Sequence, residues 1–190
     1  MTYGEKNPSP PPAPKGGMNA DEIRSNLEAL AEELGATGEE VSVVIVGGAL
    51  MAFRHLREST TDIDTVSSIG PELRKAIEKV AASRELPKDW LNQSAMAFAP
   101  NTLKEEEQHV VLKRGRLIVL GVSNELLFLM KLNSNRRRDH DDLLRIWPMT
   151  TFTNADHVLR EYNTAFPMST NDPYLLHWLE DFIKKAEQNK

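Results

Sequence analysis

The chain has 190 residues, enough for one compact domain with a real core. It holds no cysteine, which excludes disulfides, thiolate metal sites and a cysteine nucleophile, and it has no run of about 18 or more apolar residues, so no transmembrane helix is expected. A content of 40% hydrophobic and 27% charged residues is ordinary for a globular protein, and a net charge of −5 does not advertise a nucleic-acid binder. Two local basic runs, Arg136-Arg137-Arg138 and Lys113-Arg114-x-Arg116, are either binding patches or solvated faces.

Residues 1–17 carry five prolines and then Gly16-Gly17, a composition that neither packs nor forms a regular helix. A flexible tail is expected there, with Met18 as the natural start, and the absence of an apolar signal core points to the cytoplasm. Asn19 or Asp21 can cap a first helix that buries Ile23, Leu27, Leu30 and Leu34 and ends near Gly35. Ser42 to Val46 is β-branched and continuous, so it predicts a strand buried on both faces. Gly47 and Gly48 follow, then a helical octet, Ala49 to Leu56, and a second strand, Asp62 to Val66. Pro71 opens a helix to Ser83 with Leu73, Ile77 and Val80 inward. Leu86 to Asn92 reads as a connection with Trp90 as a core anchor, and Met96 to Pro100 is too short to assign.

Val110 to Arg114 and Arg116 to Leu120 flank Gly115 as an antiparallel hairpin. Ser123 can cap a central helix, Asn124 to Asn133, that is apolar nearly all round. Thr153 or Asn154 caps a later helix, and Asp172-Pro173 opens the last. The expected fold is α/β (α+β), a small mixed sheet flanked by helices with a helical C-terminal part. Residues 18–150 form the core, and 151–190 pack on it as part of one compact unit.

The chemistry concentrates after the first strand. A strand, a glycine turn and a helix N-terminus leave backbone N–H groups pointing outward, which suits a phosphate. In an extended Asp-x-Asp, Asp62 and Asp64 lie on one face, and two carboxylates beside a phosphate cradle are what Mg²⁺ on a triphosphate requires. Each piece alone also has a plain reading, a turn for the glycines and a solvated or capping pair for the aspartates. Lys131 interrupts an apolar helix, so it must reach water or an anion, either a carboxylate such as Asp62, Asp64 or Asp142 or a bound phosphate. If one helix ran through, Lys131, Asn135, Arg138 and Asp142 would share a face, but Arg136 would then fall on the buried side. A break near Asn133 to Asn135 is therefore expected. Arg57 either meets a phosphate or simply ends its helix favourably, and Thr60 either orients a phosphate or is an ordinary strand residue. The histidines have no metal-ligand spacing, and His140 and Asp141 read as exposed neighbours of the acidic cluster.

Together, hydrophobic-Gly47-Gly48, a spacer, Arg57-x-x-Thr60-x-Asp62-Ile63-Asp64, Leu127-x-x-x-Lys131 and Arg138-Asp139-x-x-Asp142-Leu143 resemble the nucleotidyltransferase superfamily of polymerase-β-like fold. Within it they resemble the AbiEii- and MenT-type toxins of type IV toxin–antitoxin systems, over residues from about 40 to 146. The resemblance implies an NTP bound at Gly47, Gly48, Arg57, Thr60, Lys131 and Arg138, with one or two Mg²⁺ ions on Asp62, Asp64 and a third carboxylate. Asp142 ranks ahead of Asp139 for that third place. Lys131 would contact the triphosphate, and the acceptor would be the 3′ end of tRNA. A cognate antitoxin would be a protein partner, and no membrane is involved. The alternatives are transfer to a small molecule such as an antibiotic, transfer to a protein hydroxyl, or a silent nucleotide-binding protein that serves a partner.

Overall fold

The structure is a computed structural model that describes residues 17–134, 136, 139–169 and 172–188. The expected tail, apart from Gly17, lies outside these residues, as do Asn135, Arg137 and Arg138. Helix α1 (Ala20–Leu34) starts on a reciprocal cap between Asn19 and Glu22 and stops at Gly35, whose φ is 74°. Its apolar face meets α3 (Pro71–Arg84), which opens on Pro71.

The expected sheet is present but divided. Strands β1 (Val41–Ile45), β4 (Gln108–Arg114) and β5 (Leu117–Val122) form a mixed sheet in the order β1-β5-β4, with β5 parallel to β1 and antiparallel to β4. Only Val43 to Ile45 of β1 are fully buried, since Ser42 is exposed and Val41 half-buried at the end nearest the solvent. A second, parallel pair joins β2 (Ile63–Asp64) to β3 (Leu91–Asn92). The expected strand Asp62 to Val66 is thus shorter, and the connection ending at Asn92 ends as a strand. Trp90 is fully buried and donates its indole N–H to Ile77 O, as expected of a core anchor.

Side chains tie the two sheets together. Buried Thr65 donates to Val44 O at 2.8 Å, Ser67 Oγ accepts from Val44 N–H at 2.8 Å, and Val66 N–H donates to Val44 O at 3.0 Å. These bonds satisfy the free edge of β1 and hold β2 beside it.

The C-terminal part is helical: α4 (Asn124–Ser134), α5 (Asp139–Ile146), α6 (Ala155–Ala165) and α7 (Leu175–Gln188). Ser123 Oγ accepts from Leu126 N–H, and Asn154 caps α6. The expected break near Asn133 to Asn135 comes at its far end: α4 runs through Ser134, Arg136 is not helical, and α5 starts at Asp139. Buried Phe128 on α4 collects Trp147, Phe152 and Phe182 at ring-centroid distances of 5.8 Å, fastening α7 to the core. Among the described residues no helix is long and apolar enough to cross a membrane.

The basic run around Arg116 is not one solvated patch. Arg116 is buried, donates to Leu34 O and Glu39 O, and pairs with Glu72, while Lys113 pairs with Glu40 at 3.0 Å. The arginine closes the C-terminal end of α1 and the loop after it, where free carbonyls need donors.

Candidate active site

The expected helix after the glycines begins earlier, with Gly47 itself, and ends sooner: α2 spans Gly47–Phe53, and His55 at φ 58° turns the chain towards β2. Gly47 has φ +62°, a conformation that favours glycine. A Cβ on it would stand 3.1 Å from Asp64 Oδ2. A Cβ on Gly48 would stand 2.4 Å from Thr60 Oγ1, with Arg57 NH1 3.3 Å away. The two glycines therefore let the turn close onto Asp64 and Thr60, and Val46 N–H donates to Asp64 O at 3.0 Å to fix the approach.

A cavity of about 330 Å³ opens at this junction. Its wall includes Gly47, Gly48, Arg57, Thr60, Asp62 and Asp64 on one side and Lys131, Ser134, Arg136 and Asp139 on the other, with Ser94, Ala95 and Phe98 from a short 3-10 turn. The first motif and the second, 67 residues apart between Asp64 and Lys131, thus share one space. Asp142 does not reach the wall. It sits behind it, 2.7 Å from Lys131 Nζ and 3.5 Å from Arg57 NH1.

Lys131 is mostly buried and bridges both acids, with Asp139 Oδ1 also at 2.7 Å. Ser134 Oγ donates to the other oxygen of Asp139 at 2.5 Å. Burial opposes the charge on Asp139, but the bonds from Lys131 and Ser134 and the charges of Lys131 and Arg136 outweigh it and hold the carboxyl below its usual range. The lysine thereby finds the carboxylate partners its apolar helix demands, on the far side of the break. His140 is half-buried rather than exposed, edge-on to Trp178 and Phe182.

Sequence reasoning missed three features, one in the wall itself and two that hold wall residues in place. Asn92 donates to Asp62 Oδ2 at 3.4 Å and accepts from Ser94 N–H, so β3 orients the first carboxylate. Phe98 carries the Arg136 guanidinium 4.7 Å above its ring, a cation–π contact at the cavity wall. Met18 is bridged to Thr60, tying the start of the described chain to the loop before Asp62. No local pattern marks any of the three, because each depends on which strands or turns become neighbours.

Asp62, just ahead of β2, and Asp64, within it, both line the cavity and offer hard oxygen ligands, which fits Mg²⁺ held by one or two carboxylates, with substrate phosphates and water completing the shell. Among the described residues no three acidic, histidine or cysteine side chains gather closely enough to hold a metal. Arg57, Lys131 and Arg136 in the wall are matched by Asp62, Asp64 and Asp139, so these residues offer a polyphosphate no net positive charge. A divalent cation would supply it.

A family model described as "nucleotidyltransferase of unknown function (DUF6036)" matches residues 25–172. The chain belongs to that family. No curated protein and no solved structure matches it.

Proposed function

We propose that the protein is a Mg²⁺-dependent nucleotidyltransferase that moves a nucleoside monophosphate from an NTP to a hydroxyl at the 3′ end of an RNA, tRNA in particular. The observation that carries this reading is the closure of the Gly47-Gly48 turn onto Asp64 and Thr60, within one cavity that also holds Asp62 and Lys131. The triphosphate lies along the glycine turn, with Arg57 and Lys131 as its cations. Lys131 has three N–H donors and uses two on Asp139 and Asp142, so one is left for a phosphate oxygen without breaking either pair. Asp62 and Asp64 hold the metal, and Asn92 fixes the orientation of Asp62. When bound, Mg²⁺ neutralises phosphate charge and acts as a Lewis acid on the reacting phosphoryl group.

The acceptor oxygen bonds to the α-phosphorus in line as the bond to pyrophosphate breaks, and the hydroxyl proton passes to a wall carboxylate. No protein nucleophile is required. Positioning and charge stabilisation provide the acceleration. Asp139, which lines the cavity, and Asp142, which does not, act in this reading through Lys131 rather than as metal ligands. The resemblance to AbiEii- and MenT-type toxins supports a growth-inhibiting role restrained by a cognate antitoxin.

Incubating the purified protein with each α-labelled NTP, Mg²⁺ and total RNA tests the reading. Label enters RNA with the wild type. It falls to background with Asp62→Ala and Asp64→Ala, which remain folded and melt near the wild-type temperature. Full activity in either variant overturns the metal role. Label in protein or in a small molecule names a different acceptor, and no label from any NTP rejects transfer.

A further inference from the structure

Beside the cavity runs a second groove of about 1090 Å³ that shares Lys131 and Arg136 with it. Its other wall comes from the start of α7 and the segment before it, where Tyr174 is 76% exposed, Met168 87% and Trp178 38%. Trp178 is not a loose surface ring. It stacks on Phe182 at 5.3 Å and 17°, and His140 meets it edge-on at 6.2 Å. One stacked indole and one exposed phenol thus flank a groove that shares Arg136 and Lys131 with the cavity.

We propose that this groove seats the unpaired end of the RNA acceptor, with a base stacked against Trp178 and Tyr174; the proposal rests on the transferase reading above. Base–aromatic stacking tolerates any base, because every base has a π-face. The charges agree with a base rather than a phosphate in the groove. Asp141 and Asp172 also line it and would repel phosphate, whereas Arg136 stands at the junction, where the backbone must turn towards the metal carboxylates. A neutral flat ring goes into the groove, its phosphate meets Arg136, and the terminal hydroxyl faces the cavity. The family match ends at residue 172, so it does not reach Tyr174 or Trp178.

Tryptophan fluorescence gives a direct test without NTP. Of the three tryptophans, Trp90 and Trp147 are buried and Trp178 is the exposed one, so a base stacked there quenches the accessible emission. A short single-stranded RNA ending in cytidine-cytidine-adenosine is expected to quench saturably, and a blunt duplex of the same sequence much less. Tyr174→Ala weakens the single-strand affinity about tenfold or more. It raises the KM for RNA by a similar factor and leaves the KM for NTP unchanged. Asp62→Asn abolishes transfer but keeps the quench.

Absence of quenching, equal quenching by the duplex, or unchanged affinity in Tyr174→Ala overturns the proposal. The two readings fail separately. Quenching without transfer from any NTP rejects the transferase and keeps the groove, whereas transfer to RNA with an unaltered KM in Tyr174→Ala rejects the groove and keeps the transferase.

Discussion

Gly48 has no room for even a methyl group. Its missing Cβ would overlap Thr60 Oγ1 at 2.4 Å and press on Thr60 Cβ at 3.0 Å. Thr60 cannot retreat easily, because its backbone is bonded in both directions to Met18. Gly48→Ala is therefore expected to destabilise the fold by about 1–3 kcal/mol, the usual cost of forcing an atom into packed surroundings. Thr60→Ala in the same chain removes the closer contact and should restore part of the loss. Chemical denaturation of the single and double variants measures both, and a Gly48→Ala variant as stable as the wild type would show that the turn is not closed in this way. The glycine pair thus has a dual reason: one residue for its backbone angle, the other for the hydroxyl it admits.

Lys131 acts at the scale of elements. It leaves α4 one turn before its end and grips Asp139 and Asp142 in the first turn of α5, so one ammonium spans the break between two helices. Lys131→Met leaves two nearly buried carboxylates facing each other, and a loss of about 2–4 kcal/mol in stability is expected at neutral pH. The sign with pH follows from Asp139, whose carboxyl is held below its ordinary value of 3.8. A depressed carboxyl contributes stability above the unfolded pKa and loses it as pH falls through the folded one. The gap between wild type and Lys131→Met should therefore shrink as pH drops through 4 and below. Urea melts at neutral and acid pH check this, and a gap that widened in acid would refute the pairing.

Elements also divide what the sequence disclosed from what it hid. Strand β1, the glycine turn, α2 and the hairpin were legible because their signals are local: a β-branched run, a glycine pair and a turn glycine between apolar runs. The interruption after α4 followed from Arg136, which could not be buried and is exposed. Strand β3 was hidden because Leu91-Asn92 is extended only through its pairing with Ile63-Asp64, almost thirty residues earlier. Arg116 was misjudged because its type is usually solvated, whereas here it meets the carbonyls left open behind α1. The candidate site was half visible for the same reason. Asp62, Asp64 and Lys131, singled out by type and spacing, line the cavity, while Phe98 joins it, and Asn92 reaches Asp62, only through tertiary neighbours.

At the scale of the whole molecule, the cavity lies where a strand-rich half meets a helical half, with Asp62 and Asp64 from the first and Lys131 and Asp139 from the second. Domain-junction and sheet-edge clefts are common places for ligands, and here each half supplies part of the wall. If the transferase acts on cellular RNA as proposed, induced expression without an antitoxin should slow or stop bacterial growth, and Asp62→Ala should relieve it. Growth curves of the two strains at matched protein levels decide this. A harmless wild type would remove the toxin role while leaving the chemistry to the labelling assay.

The Met18–Thr60 bridge also governs how the molecule answers traction. Two backbone bonds of 2.6 and 2.9 Å clasp Met18, at the start of the described residues, to a loop residue two positions before Asp62. A pull on Met18 loads the loop at Thr60 as well as α1. A bead, a surface or a fused partner tethered at Gly17 therefore tugs on the loop that carries Asp62, and a tether on the final helix follows a different path through the protein.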